Sequence, residues 1–165
     1  MGIKKLAPKS RDREIKDITE LYDSVKKGKY AILALCKNNE PYIVTLSYGF
    51  DAENKILYFH CAEQGMKLDF IRENNNVCLT IIDDQGYIKN RCDHAYKTII
   101  IRGRILLIKK KEEKTKAIKI LLSHYQESEE KMMRKINTDS ESWQKTQMMM
   151  CHITQITGKK RIEKI

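Results

Sequence analysis

The chain is 165 residues long, 33% charged and 41% hydrophobic, with 32 lysines and arginines against 22 aspartates and glutamates and a net charge of +10. That length supports one domain with its own core, and no apolar run reaches the roughly 18 residues of a membrane span. The cysteines, Cys36, Cys61, Cys78, Cys92 and Cys151, form no C-x-x-C pair and match no disulfide framework or zinc finger, so reduced thiols in a cytoplasmic protein are expected.

The segment from Met1 to Lys16 carries charge without an apolar stretch, which argues against a secretory leader. Leu6 stands where N-myristoylation needs serine or threonine. Residues 10–27 read as a helix, because Ile15, Ile18, Leu21, Tyr22 and Val25 recur at three- and four-residue steps, and Gly28 is its stop. Residues 30–36 read as a strand, 42–50 as its return and 56–61 as a third, joined by the turn sequences Lys37-Asn38-Asn39-Glu40 and Asp51-Ala52-Glu53-Asn54. A short helix is expected over 65–74, stopped by Asn74, Asn75 and Asn76, followed by a strand over 77–82. Residues 83–95 look irregular, and 96–108 form a long strand in which Gly103 marks a bulge or bend. A second amphipathic helix is expected over 111–135, a polar loop over 137–146 and a last strand over 148–157, closed by Thr157-Gly158. The whole of 1–165 is thus one mainly β (α+β) domain: an N-terminal helix within 1–28, barrel strands within 30–108, and six antiparallel strands in a small β-barrel with peripheral helices.

The stretch from Tyr42 to Lys67 carries the most chemistry. Gly65-Met66-Lys67 opens a helix directly after a strand, and such a start offers outward N–H groups, a positive helix dipole and an ammonium to a phosphate. The basic balance suits anionic ligands; the lysines are spread along the chain rather than clustered, which weakens a nucleic-acid reading. His60, Cys61, Cys92 and His94 do not have metal-finger spacing, and Met148-Met149-Met150 reads as core strand. Lys109, Lys110, Lys111, Lys114, Lys116 and Lys119 read as a solvated helix face.

In order along the chain, Pro41-Tyr42-Ile43-Val44-Thr45-Leu46-Ser47-Tyr48, Leu57-Tyr58-Phe59-His60-Cys61-Ala62, Gly65-Met66-Lys67-Leu68-Asp69, Asn76-Val77-Cys78-Leu79-Thr80, Tyr96 to Arg104 and Ile156-Thr157-Gly158-Lys159 resemble the split β-barrel flavin proteins related to pyridoxamine 5'-phosphate oxidase, and within them the nitroimidazole-resistance branch. The resemblance spans nearly the whole chain. It implies flavin mononucleotide (FMN) as cofactor, with the phosphate on Gly65, Met66 and Lys67, the pyrimidine edge on the backbone of Val44, Thr45, Leu46 and Ser47 beside Tyr48, and Phe59, His60 and Thr98 near the ring. It also implies a homodimer with flavin at the subunit interface. Thr45 stands where the branch has proline, and the oxidase's R-x-x-P-x-R-L ending is absent, so pyridoxamine 5'-phosphate oxidation is not expected.

The implied activity is transfer of reducing equivalents from a reduced nicotinamide nucleotide, NAD(P)H, to a small-molecule acceptor such as a nitroaromatic. No metal is expected, and His60 is the one candidate for a catalytic role. The alternatives are a non-catalytic flavin-binding or storage protein and, further off, a haem-binding or nucleic-acid-binding barrel.

Overall fold

The structure, a computed structural model, describes residues 11–126, 128–136 and 140–162. Helix α1 spans Ile18–Lys27 and starts later than its apolar periodicity suggests. The Asp17 carboxylate accepts from the Thr19 N–H at 2.9 Å and caps it. Upstream, the Ile15 N–H donates to the Gly158 carbonyl at 2.9 Å, so that backbone is committed to the sheet. Gly28 ends α1 with φ −65°, a conformation open to any residue. Its glycine is required by space: a Cβ there would lie 2.3 Å from Ile81 Cγ2 and 2.5 Å from Tyr48 Oη. Gly28→Ala should therefore destabilise the domain by about 1–3 kcal/mol, as overpacking does, read as a lowered urea midpoint with an unchanged slope.

Seven strands follow, not six: β1 (Ala31–Lys37), β2 (Glu40–Leu46), β3 (Gly49–Asp51), β4 (Ile56–Ala62), β5 (Asn76–Ile88), β6 (Asp93–Leu107) and β7 (Thr146–Arg161). They form one antiparallel sheet in the order β2-β1-β5-β6-β7-β4-β3, which does not close. The expected strand over 42–50 breaks at Ser47-Tyr48 because the chain crosses there from one edge of the sheet to the other. Laid flat, the edge strands would be about 29 Å apart at strand spacing, yet two residues span at most about 11 Å. The sheet must coil until β2 and β3 meet at that link. No ladder joins them, and this is the split in the barrel.

The other departures have local causes. Residues 83–95 are not irregular but extend β5 and β6 into a hairpin arm, bulged between Asp84 and Tyr87, with Gly86 at φ +93°. The arm is paired but largely exposed, so it lacks the apolar alternation that would announce it. The helix expected over 111–135 is two, α3 (Lys111–His124) and α4 (Glu129–Lys135), interrupted where Gln126 takes φ +58°. Residues 137–139 of the expected loop lie outside the described residues, and a short helix α5 (Glu141–Gln144) follows them. Strand β7 runs straight through Thr157-Gly158, because Gly158 lies against Leu21, Ile99 and Ile15 with no room for a Cβ.

The main core lies inside the coil and joins Leu33, Leu57, Phe59, Leu79, Ile101 and Met149 with Leu21 and Val25 of α1. A second cluster lies outside it, where Ala117 and Leu121 of α3 cover Ile56, Tyr58 and Met148. Both faces of β7 are therefore buried there, which explains consecutive buried methionines. The α3 lysines are only partly a solvated face: Lys116 Nζ pairs with Asp51 at 3.4 Å, and Lys114 Nζ donates to the Thr146 carbonyl at 3.0 Å.

Helix α1 is tied to the sheet by charge. Glu20 receives Lys160 Nζ at 2.7 Å and Lys97 Nζ at 3.0 Å. These hydrogen bonds, Lys160 first, hold its carboxyl below the ordinary 4.5. A carboxyl lowered on folding stabilises the fold above its unfolded value, and that contribution disappears as pH falls through the folded value. Stability profiles of the wild type and Glu20→Gln should therefore differ near neutrality and converge as pH falls below the ordinary glutamate value; parallel profiles over that range would count against this linkage.

Candidate functional site

Strand β2 leads through Ser47-Tyr48 into β3, and β4 returns antiparallel. Only Ile56–Tyr58 of β4 pair with β3, so from Phe59 to Ala62 that edge of β4 has no strand partner among the described residues. The outer edge of β2 is likewise unpaired. Two backbone edges thus meet at the opening of the coil, called the slot below, each with N–H and C=O groups that seek partners.

Helix α2 (Met66–Glu73) spans this opening. Its first residues follow β4. At its far end Lys37 Nζ pairs with Glu73 at 3.2 Å, and the amide of Asn74, just past α2, donates to the Cys36 carbonyl at 3.1 Å. Leu68, Phe70 and Ile71 enter the main core, with the Phe70 ring 5.2 Å from Tyr42. The helix begins without a side-chain cap, at Gly65 with φ +139° and ψ 158°, a conformation reserved in practice for glycine. Lys67 Nζ folds back to 3.8 Å from where a Gly65 Cβ would stand. It makes no ion pair among the described residues. An ammonium without an ion pair, an uncapped helix start and a glycine that leaves the backbone bare meet there, groups of the kind an anion requires.

The expected residues divide by face. Val44 and Leu46 turn partly into the core, whereas Thr45 faces outward. Tyr48 and Phe59 are fully buried, so their side chains are core and not contacts for a ligand in the slot. Tyr48 Oη donates to the Val25 carbonyl at 2.5 Å, and burial raises its phenol far above the ordinary range. His60 is exposed, between two inward neighbours. Ser47 shares a hydrogen bond with Tyr125, whose phenol burial lifts above 10.0, so it stays protonated. Thr98 lies apart from the others, on the outer face of β6, two strands from β1 and three from β2.

Cys61 sits beside Lys67, yet burial raises its thiol above 9.0 more than the ammonium lowers it, which disfavours a reactive thiolate. Among the described residues no group of three His, Cys, Asp or Glu is placed to hold a metal, and no helix is long and apolar enough to cross a membrane. The sequence reading passed over the junction of α1 and β1, where Lys27, Lys29 and Tyr30 meet Ser47, His124 and Tyr125 around a groove of about 610 Å³. Its signal was visible as Lys26-Lys27-Gly28-Lys29-Tyr30, but such a run resembles an ordinary solvated helix end.

The profile of pyridoxamine 5'-phosphate oxidases matches residues 17–160. The chain belongs to the pyridoxamine 5'-phosphate oxidase family. The motifs along the chain pointed to this family, and its solved neighbours agree. A candidate 5-nitroimidazole antibiotic resistance protein of Bacteroides thetaiotaomicron superposes with a TM-score of 0.73 at 22% identity, covering 88% of this chain and 85% of that one. A flavocytochrome of Azotobacter vinelandii gives 0.80 at 14% identity over 94% and 72%. An FAD-binding protein of Mesorhizobium loti gives 0.67 at 18% over 91% and 98%. At these identities the likeness is one of fold. An uncharacterized protein of Rhizobium meliloti is 32% identical over 80 residues, 48% of this chain and 47% of its own, so the chain spans about half the length of the curated relative it matches. The family likeness covers the antiparallel sheet and the start of α2 with Lys67 alike, since the match spans residues 17–160.

Proposed function

We propose that the slot binds FMN and that the protein is a flavin-dependent oxidoreductase, which passes electrons from a reduced nicotinamide nucleotide to a small-molecule acceptor such as a nitroaromatic. The observation that carries this reading is the unpaired Lys67 ammonium over the uncapped start of α2, at the mouth of a slot with two open backbone edges. Family membership and neighbours described as FAD-binding or as a flavocytochrome support a flavin there.

Lys67 and the N–H groups at the start of α2 neutralise a phosphate carrying close to two negative charges. The β2 edge from Val44 to Ser47 offers alternating N–H and C=O groups to a pyrimidine edge without ordering any side chain. Val44 and Leu46 hold that edge by facing the core. FMN, when bound, supplies the redox chemistry, accepting a hydride from reduced nicotinamide and delivering electrons to the acceptor. The exposure of His60 on β4 supports a role at the acceptor or the ring rather than in the fold.

A homodimer belongs to the same reading. Thr98 reaches a slot bounded by β2 only from a second chain. The outer sheet face exposes Ile43, Ile82 and Ile100 at 65%, 50% and 37%, an apolar strip suited to a second copy. The free thiols suit the cytoplasm. An absorption spectrum of the purified protein tests the cofactor: flavin bands are expected, and a colourless protein that stays colourless with added FMN would end the assignment. Anaerobic bleaching by NADH or NADPH then tests the activity. A yellow protein that neither nucleotide bleaches would be a flavin carrier instead.

A further inference from the structure

The groove at the junction of α1 and β1 has a charge pattern that the flavin reading does not use. Lys26, Lys27 and Lys29 line it, together with Tyr30, Ser47, His124, Tyr125 and Gln126, and no acid does among the described residues. Acids stand in the adjoining cavities: Asp51 and Glu53 share one with Lys26, and Asp83 and Asp84 share the other with Lys27, Lys29 and Tyr30. Lys26 has a single long contact, 3.9 Å to Asp23. Lys27 and Lys29 make no ion pair among the described residues, and both are exposed. Two ammoniums without an ion pair among the described residues therefore line one concave surface on which the described residues place no acid.

The rest of the lining is equally specific. His124 Nε2 stands 2.8 Å from the Gly28 carbonyl, which can only accept, so that nitrogen carries the proton and fixes the ring beneath the lysines. The ring also packs against Tyr48 at 4.6 Å, which makes this wall rigid. Ser47 and Tyr125 add two hydroxyls, which share a hydrogen bond with each other, and the Tyr125 ring stands 6.2 Å from that of His124. Tyr30 is 59% exposed, so most of an aromatic ring is left to solvent at the rim. A volume of about 610 Å³ is far larger than one phosphate needs and falls in the range that encloses a nucleotide-sized ligand.

We propose that this groove is a second, separate site that binds a nucleoside diphosphate, with the diphosphate on Lys27 and Lys29 and a flat ring against Tyr30. Ammoniums and hydroxyls supply charge-assisted hydrogen bonds to the phosphates, and the exposed tyrosine supplies a stacking surface. Ser47 belongs both to this groove and to the end of the β2 edge, so a ligand held here lies beside the flavin slot. Only the identity of that ligand as the diphosphate portion of the reduced nicotinamide nucleotide rests on the flavin reading; the binding itself does not.

Titration calorimetry with ADP and with inorganic pyrophosphate on the full chain tests this. ADP should bind saturably, more tightly than pyrophosphate and more weakly as salt is raised. Lys27→Ala with Lys29→Ala should weaken both ligands by about tenfold or more. Tyr30→Ala should weaken ADP and leave pyrophosphate unchanged. Lys67→Ala should leave ADP binding intact, which separates this groove from the flavin cradle. All four side chains are at least partly exposed, so circular dichroism and the urea midpoint should report intact folding. Absence of saturable ADP binding would overturn the proposal, as would binding that survives loss of both lysines or is lost with Lys67. A colourless protein that binds ADP through Lys27 and Lys29 would remove the flavin reading and keep the groove; a yellow one that ignores ADP would do the reverse.

Discussion

Replacing Lys67 by alanine is expected to weaken FMN binding about 10- to 100-fold. Hydrogen bonds to charged groups contribute about 1.5–3 kcal/mol, and each ~1.4 kcal/mol is a factor of ten in affinity. Because Lys67 has no ion pair among the described residues and sits at the mouth of the slot, the variant should unfold at the wild-type urea concentration. Quenching of FMN fluorescence on titration measures the loss. Lys67→Met keeps the aliphatic stem and removes only the charge, so it should lose nearly as much. Gly65→Ala attacks the same cradle from the backbone. At φ +139° a side chain is strained by about 1–3 kcal/mol, and relief of that strain turns the helix start away from the phosphate. If FMN binds unchanged to both Lys67→Ala and Gly65→Ala, the cradle is not the phosphate site.

Phe59→Ala should cost about 3–5 kcal/mol of stability, whereas His60→Ala, the next residue, should stay within about 0.5 kcal/mol. Phe59 pairs across to Met149 and is fully buried in the core; His60 pairs to Met148 but points its own side chain to solvent. Against a typical domain stability of about 5–15 kcal/mol, the first variant loses a large share of the fold's stability and the second almost none. Urea unfolding of the two side by side reads the alternation of β4 directly. Comparable losses from both would mean that the register of β4 is wrong. A His60→Ala protein of full stability with impaired bleaching by NAD(P)H would assign His60 to the flavin or the acceptor.

Much of the fold could be read along the chain because most of its elements are one-sided. Helix α1 announced itself by the spacing of Leu21 and Val25. Strand β1 alternates Ala31, Leu33 and Leu35 inward with less buried residues between them. The β5–β6 arm escaped notice because its backbone is paired while its side chains meet water, so no periodicity marks it. The interruption after α3 escaped because the break is a single left-handed residue, Gln126, in a sequence that continues to look helical.

The sequence by itself determined the buried stripe of α1, the inward face of β1, where most turns fall, and that Gly65, Met66 and Lys67 open a helix directly after a strand. It also determined the family, through motifs in fixed order. Only the tertiary structure decided that 42–50 divides into β2 and β3, that the open edges of β2 and β4 face one slot, that Tyr48 and Phe59 are core, and that Lys27, Lys29, Tyr30, Ser47 and Tyr125 surround one groove. The physical reason is the range of the signals. Side-chain periodicity records whether each residue meets solvent or its neighbours, a local quantity. Which backbone edges remain unpaired, and which distant side chains share a cavity, depends on how the sheet coils, and coiling joins residues far apart in the chain without leaving a mark on any one of them.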